Sequence, residues 1–389
     1  MPRMPESLVC EPQCTGFEHV PFNAALLGTA LCAWPDGRLT FISESNHGRS
    51  VRELLKRHRV DTWRIQWQEW KVPERDRWNL RRIRGDYKSM AAALGQARRA
   101  GAERVVFCST TNMSLLALKA EMTLNPVDCP VLTIFHAELS NILPGRHVRW
   151  QERAFELKHI LRLRQPRNLR FVALGEPILQ ELIQQMPSQR SLWSSIDHPY
   201  LFAPGASAPP LREVQRLRFG FIGATQKGFG AFLELARDIR SEFPEAVFEL
   251  VGFVNSPVPS NASDLVDGLG EMPLAREEFE ARMRRLTYCV FLSDPREYQL
   301  RASGTFFDAI SFLKPILGLR IPYLEYYSQR YGEFGVLTEG YSELVSVIRS
   351  VLQSFPRERY DMQRRTLCHL QDRMNPMAVG SQLAAIGAK

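Results

Sequence analysis

The sequence has 389 residues, and no apolar run in it approaches the ~20 residues that a membrane-crossing helix needs. Its first residues, MPRMPESLVCEPQ, carry Pro and Glu where an export signal carries an apolar stretch, so the expected location is the cytoplasm. There is no GxxxxGK[ST], which excludes a P-loop, and no GxGxxG after the first predicted strand. There is no D-x-D, the nearest approach being Glu74-Arg75-Asp76, so no carboxylate pair of that kind is present to hold a metal. The seven cysteines (10, 14, 32, 108, 129, 289 and 368) are odd in number and scattered, and Cys10 and Cys14 have no second pair to complete a zinc site. They read as reduced thiols rather than a disulfide framework. Internal repeats and low-complexity tracts are absent too.

What is present is ordinary globular material, 44% hydrophobic and 24% charged. The length suggests two domains of roughly 150–200 residues each. Charge divides the same way. Residues 1–210 hold 28 basic and 20 acidic side chains, whereas 211–389 hold 22 of each, so the whole net charge of +8 lies in the first half. All seven tryptophans lie there as well. The stretch 203–216, rich in Pro, Ala and Ser, reads as a linker. The expected division is an N-terminal domain over 1–208, a C-terminal domain over 209–365, and a tail over 366–389 that returns to the first domain.

Strand and helix patterns alternate. In the second half, strands are predicted at 217–223, 246–252, 287–293 and 314–319, with helices at 230–243, 277–286, 304–313 and 341–355. In the first half, strands are predicted at 7–10, 39–43, 104–109, 130–135 and 169–174. This order implies parallel sheets with crossover helices. The expected fold class is α/β, two Rossmann-like domains facing across a cleft. Open parallel sheets bind ligands at the carboxyl ends of their strands, so the residues just after each strand are the informative ones.

Two such places stand out in the second half. In GFIGATQKGFGAFLELA, a strand runs through Gly223 and Thr225 to Lys227 and Gly228 and then into a helix. A helix start offers free N–H groups and a positive dipole end to phosphate, and Lys227 adds a formal charge. The bland reading is a glycine turn with a surface lysine. In DPREYQLRASGTFFDAISFLKPIL, Arg301, Ser303, Gly304 and Thr305 lead into a helix carrying Asp308. Arg301 can grip a diphosphate through its guanidinium fork, and Asp308 can accept from ribose hydroxyls. The alternative is an ordinary Ser303 cap with a solvated Asp308.

The pattern G…KG-F…L…A, followed by an acidic residue, SG, D-A and KP, resembles the nucleotide-sugar domain of GT-B glycosyltransferases, in the family 4-like group of bacterial polysaccharide enzymes. The resemblance covers about 217–355. It implies transfer of a sugar from a nucleotide-diphosphate donor, with Lys227 and Arg301 against the diphosphate and Asp308 on the ribose. The family pattern has two glutamates eight positions apart. Asp308, six residues before Lys314, fits the second place, but Leu300 occupies the first, and the nearest acid is Glu297. Glu297 is therefore the candidate acid for the donor sugar.

The first domain is expected to take the acceptor. Gly16 ends a loop after the first strand, and a helix is predicted over 17–31 with Glu18 and His19 in its first turn. By the resemblance this loop faces the cleft, so His19 is an acceptor candidate; the alternative is a histidine with no chemistry. His136 directly follows the strand PVLTIF, where a neutral imidazole can act as a base or orient the donor sugar, and Glu138 is a further acid in that loop. A merely packed His136 is the competing reading. Gly175-Glu176 also follows a strand, and His198 reads as part of a hinge. Two basic, aromatic stretches, 63–84 and 146–170, suit an anionic membrane surface or a lipid-linked acceptor, with nucleic acid the less favoured partner. No cofactor and no metal are expected beyond the nucleotide sugar itself. Two other readings stay open: a sugar-nucleotide epimerase of the same plan, and a non-catalytic protein binding nucleotide sugar or nucleic acid.

Overall fold

The computed structural model describes residues 5–72, 80–143, 155–202, 216–226, 228–292 and 294–387. Two units are distinguished by their internal contacts. One comprises Met1–Phe202, Leu300–Ala302 and Arg373–Lys389; the other comprises Ala203–Gln299 and Ser303–Asp372. The 203–215 segment, Lys227, the Glu74–Asp76 triplet and the Trp150 region of the second basic stretch lie outside the described residues.

The first unit is built on seven strands: β1 (Glu6–Cys10), β2 (Arg38–Ser43), β3 (Ile65–Glu69), β4 (Arg104–Phe107), β5 (Val131–Phe135), β6 (Leu169–Leu174) and β7 (Trp193–Ile196). They lie in the order β3-β2-β1-β4-β5-β6-β7, every pair parallel. The chain moves outward from β1 through β2 to β3, then returns to the other side of β1 with β4. That reversal puts the topological switch point at the carboxyl ends of β1 and β4. The central strands are buried on both faces, as continuous apolar runs such as VLTIF require.

The two edge strands were not legible as strands. β3 lies inside the basic, tryptophan-rich stretch, where only alternate residues are apolar. That pattern corrects the reading of 63–84 as one displayed surface. Trp67 meets Phe41 edge to face, and Trp70 donates from Nε1 to the Glu11 carbonyl; Trp63 is exposed. A second correction concerns the first helix. It spans Val20–Ala33, so Glu18 and His19 precede it rather than forming its first turn. Pro21 sits in the opening turn, where its fixed φ suits the helix and its missing N–H costs nothing. His19 caps it in the left-handed conformation, φ 51°. The C-terminal helix Pro376–Gly387 also belongs to this unit: Val379 and Leu383 join the core beside Ala24 and Leu27, and Gln382 exchanges hydrogen bonds with Asp197.

The second unit has β8 (Arg218–Ala224), β9 (Val247–Phe253), β10 (Tyr288–Phe291), β11 (Ile316–Leu319) and β12 (Gly335–Thr338), in the order β12-β11-β10-β8-β9, all parallel. Its switch point lies at the carboxyl ends of β8 and β10. Helices Phe229–Arg240 and Tyr341–Gln353 supply Phe232, Leu235, Ile239, Leu344 and Ile348 to one core with β8 and β9. Among the described residues no helix is long and apolar enough to cross a membrane.

Candidate functional site

In the first unit, Glu11 immediately follows β1 at the switch point and is fully buried. Its carboxylate accepts from the Gln13 and Cys14 amides (2.8 and 3.0 Å), Asn23 Nδ2 (2.9 Å) and Ser109 Oγ (2.5 Å), the last from the loop after β4. Four donors on one carboxylate make a rigid anchor for the loop that follows β1. The frame continues outward. Asn23 Nδ2 also lies 2.8 Å from His47 Nε2, and His47 Nδ1 lies 3.2 Å from the Gly16 carbonyl. The consistent tautomer has His47 donating to Gly16 and accepting from Asn23. Glu44 accepts from the Gly16, Asn46 and His47 amides. Against the upward push of partial burial, those three bonds hold the Glu44 carboxyl below its ordinary range.

On this frame stand three histidines. The His19 and His136 rings meet edge to face with centroids 4.9 Å apart, and Phe22 contacts both His136 (4.3 Å) and His198 (5.0 Å). His136 Nε2 donates to the Cys108 carbonyl at 2.9 Å, which leaves Nδ1 as the acceptor of a neutral ring. Burial, with His19 and His198 adding to it, pushes the His136 pKa well below the usual histidine range. Burial takes His198 down to about 3, and its ring donates from Nδ1 to the Pro199 carbonyl, so it is a structural member of the group. Burial raises the Glu138 carboxyl, while His19 and Arg301 pull it down. Glu138 Oε2 and Arg301 Nε are both buried without a hydrogen-bond partner among the described residues. Arg301 thus stands with the first unit: Leu300 is fully buried and Ala302 packs against the first core.

In the second unit, the loop after β8 and the loop after β10 come together at the switch point. Gly228 has φ 77°, and a Cβ on it would lie 2.8 Å from the Leu292 carbonyl oxygen, so conformation and space both require glycine. Gly223 (φ 101°) leans on β9 so closely that a side chain at Gly252 would strike its carbonyl. The open side of Gly223 faces Thr305, whose Cγ2 is 3.6 Å from where a Cβ would be. The Gly223 loop and the start of helix Gly304–Ser311 are therefore neighbours. Thr225, buried, is spent on tying this loop to the one after β9, through Ser256 Oγ (2.9 Å) and the Asn255 amide (3.2 Å).

Neither helix start here is closed by a side chain. Gly228 has none to offer, and Ser303 makes no capping bond but pairs its hydroxyl with Thr305 Oγ1 at 2.9 Å. Among the described residues, neither cap residue closes the opening N–H groups of its helix, an arrangement that suits an anion. Asp308, one turn further on, is half-buried; its negative charge acts on Cys289, against the positive charge of Lys314. Glu297 is half-buried in the short 3-10 turn Pro295–Tyr298. The structure thus joins Gly223, Gly228, Ser303, Gly304 and Thr305, sets Asp308 beyond them, and groups Arg301 with His19, His136 and Glu138. Among the described residues there is no group of three or more His, Cys, Asp or Glu side chains able to hold a metal ion.

Sequence reasoning missed Glu11, Asn23, Glu44, His47 and Ser109. The signal for Glu11 was available: it follows its strand directly, as His136 does. The partners in later elements carried no local mark.

No protein-family profile matches the chain, and no curated protein matches it in sequence. Solved structures do match in shape. A glycosyltransferase from Rickettsia africae superposes with TM-score 0.63 at 11% identity, covering 99% of this chain and 98% of that one. WaaG, a glycosyltransferase of lipopolysaccharide biosynthesis, gives 0.61 at 11% identity over 98% and 99%. A variant of S. aureus TarM, solved with fondaparinux, α-GlcNAc-glycerol and UDP, gives 0.64 at 7% identity over 99% and 100%. With both parallel sheets already described, these likenesses show that the chain has the GT-B fold of glycosyltransferases.

Proposed function

We propose that the protein is a glycosyltransferase that moves a sugar from a nucleotide-diphosphate donor to a hydroxyl of a glycan or lipid-linked glycan. The observation that carries this reading is the pair of uncapped helix starts, Gly228–Phe229 and Ser303–Gly304, at the switch point of the second unit. The diphosphate lies against their N–H groups, Gly223 and Thr305 line its approach, and Lys227, the residue before Gly228 in the sequence, supplies a formal positive charge. Asp308 holds the ribose, and Glu297 meets the donor sugar. The UDP in the TarM structure supports a nucleotide diphosphate as the donor's leaving group.

Negative charge develops on the diphosphate as the glycosidic bond breaks. Fixed N–H dipoles and Lys227 stabilise it without reorganisation. The absence of D-x-D from the sequence supports a metal-independent reaction. In the first unit, His136 serves through Nδ1 as a neutral acceptor that orients a hydroxyl. Glu138, its carboxyl raised by burial, stands in the same loop as a second proton acceptor. Gly16 and His19 border the acceptor. Arg301 acts on the Glu138 side of the reaction. Exposed Leu163, flanked by exposed Arg162, Arg164 and Arg167, supports contact with an anionic membrane surface and hence a lipid-linked acceptor.

One observation favours a second reading, binding without turnover: the position of the first family glutamate is Leu300, fully buried. A thermal-shift screen against UDP-, GDP-, ADP- and dTDP-sugars, followed by turnover assays over an acceptor panel with and without EDTA, separates the two. Transfer that survives EDTA is expected. Binding of a donor without transfer to any acceptor would favour the second reading, and activity restored only by Mg²⁺ or Mn²⁺ would refute metal independence.

A further inference from the structure

A surface cavity of about 130 Å³ opens in the first unit at the carboxyl ends of β2 and β3, apart from the histidine cluster. Its wall includes Glu44, Ser45, Arg49 and Arg52 from the start of helix Ser45–Arg57, and Trp67 and Glu69 from β3. These groups are organised. The Arg52 guanidinium lies 4.4 Å from the Trp67 ring centroid, and the same ring is braced at 5.6 Å by buried Phe41. Ser45 Oγ donates to Glu69 Oε1 at 2.8 Å. Glu44 is fixed by the amides of Gly16, Asn46 and His47.

The chemistry of this lining selects among ligands. Two arginines are balanced by two glutamates, so the cavity carries no net formal charge and gives a phosphate no advantage. Carboxylates accept and guanidiniums donate, at several points around one aromatic ring. That combination fits a polyhydroxylated ring, which offers hydroxyl donors and acceptors at its rim.

We infer that this cavity is a carbohydrate subsite that holds a sugar unit of the acceptor glycan away from the reacting hydroxyl. The inference rests on the proposed function, and it makes the acceptor an oligosaccharide rather than a monosaccharide. Glu44 links the subsite to the reaction centre, since the same carboxylate that lines the cavity also binds the Gly16 amide three residues before His19.

The test is a glycan array carrying mono- and oligosaccharides, probed with the full-length protein, alongside calorimetric titration with a nucleotide sugar. Wild-type protein is expected to bind a set of oligosaccharides. Arg52→Ala and Glu69→Ala, both at exposed positions, are expected to weaken that binding at least tenfold while leaving nucleotide-sugar affinity unchanged. His136→Ala is expected to retain oligosaccharide binding. Array binding that is absent, confined to monosaccharides, or equal in wild type and both subsite variants would overturn the inference. Saturable binding of inorganic phosphate lost in Arg52→Ala, without glycan binding, would also overturn it. Failure of nucleotide-sugar binding alone would strike the proposed function and leave the array result to be judged separately.

Discussion

Lys119 Nζ donates to the carbonyl of Ile160 at 2.9 Å, and also to those of Leu161 and Leu163. A buried ammonium thereby closes the C-terminus of helix Leu157–Arg162, where the last carbonyls lack partners of their own. The device recurs. Lys314 Nζ donates to the Arg284 and Leu286 carbonyls at the end of helix Arg276–Arg285, and Arg64 donates to the Leu31 and Trp34 carbonyls at the end of helix Val20–Ala33. Burial lowers both lysines to about 8. Lys119→Met keeps the apolar stem and strands three carbonyls, so it should cost about 2–4 kcal/mol of stability. Denaturant unfolding checks this, with nucleotide-sugar affinity unchanged at temperatures where the variant is folded.

Acid should loosen the first unit. Burial is the leading cause holding His47, His136 and His198 below the ordinary histidine pKa. As pH falls through about 6.5 the unfolded chain takes up protons that the folded chain does not, until about 3 for His198. Stability present above 6.5 is therefore lost below it, at about 1.4 kcal/mol per pH unit for each histidine that stays neutral. Glu138 and Asp86, raised by burial, work in the opposite sense above the ordinary carboxylate range. The comparison is best made between pH 7.5 and 5.5. Thermal unfolding midpoints should fall across that range, and His198→Asn should make the fall shallower.

Gly228→Ala should damage the second unit locally. The new Cβ meets the Leu292 carbonyl while the backbone stays at positive φ. A cost of about 1–3 kcal/mol is expected, with nucleotide-sugar binding weakened more than tenfold. Binding at wild-type strength in calorimetry would remove this turn from the donor site.

Arg301 separates donor from acceptor roles. Its side chain acts on Glu138. Arg301→Gln should raise KM for the acceptor and leave nucleotide-sugar affinity within a factor of about two. The opposite pattern would return Arg301 to the diphosphate, as its place in the sequence first suggests.

Much of the architecture was written in short-range pattern. The buried strands β1, β2, β4, β5 and β6 are largely apolar runs, and the glycines at 223 and 228 mark the loop after β8 because both take positive φ and, at 228, the Leu292 carbonyl leaves no room for a side chain. The strands β3 and β7 escaped because polar residues interrupt their apolar ones, and β12 because it is only four residues long. The acceptor-side frame escaped for a different reason. Glu11, Asn23, His47 and Ser109 come from four separate places in the chain, and only folding brings a carboxylate to its donors. Arg301 shows the limit most clearly: three residues before the helix that starts at Gly304, its side chain nevertheless acts on Glu138, and nothing local in RASGT reveals it.

Anion recognition at the second switch point is the property on which sugar transfer depends. Calorimetric titration of the wild-type protein and Lys227→Ala with UDP-, GDP-, ADP- and dTDP-sugars is the most direct measurement. The prediction is saturable binding of at least one of them by the wild type, weakened tenfold or more in the variant with the fold intact. No binding of any nucleotide sugar, or equal binding by both proteins, would contradict it.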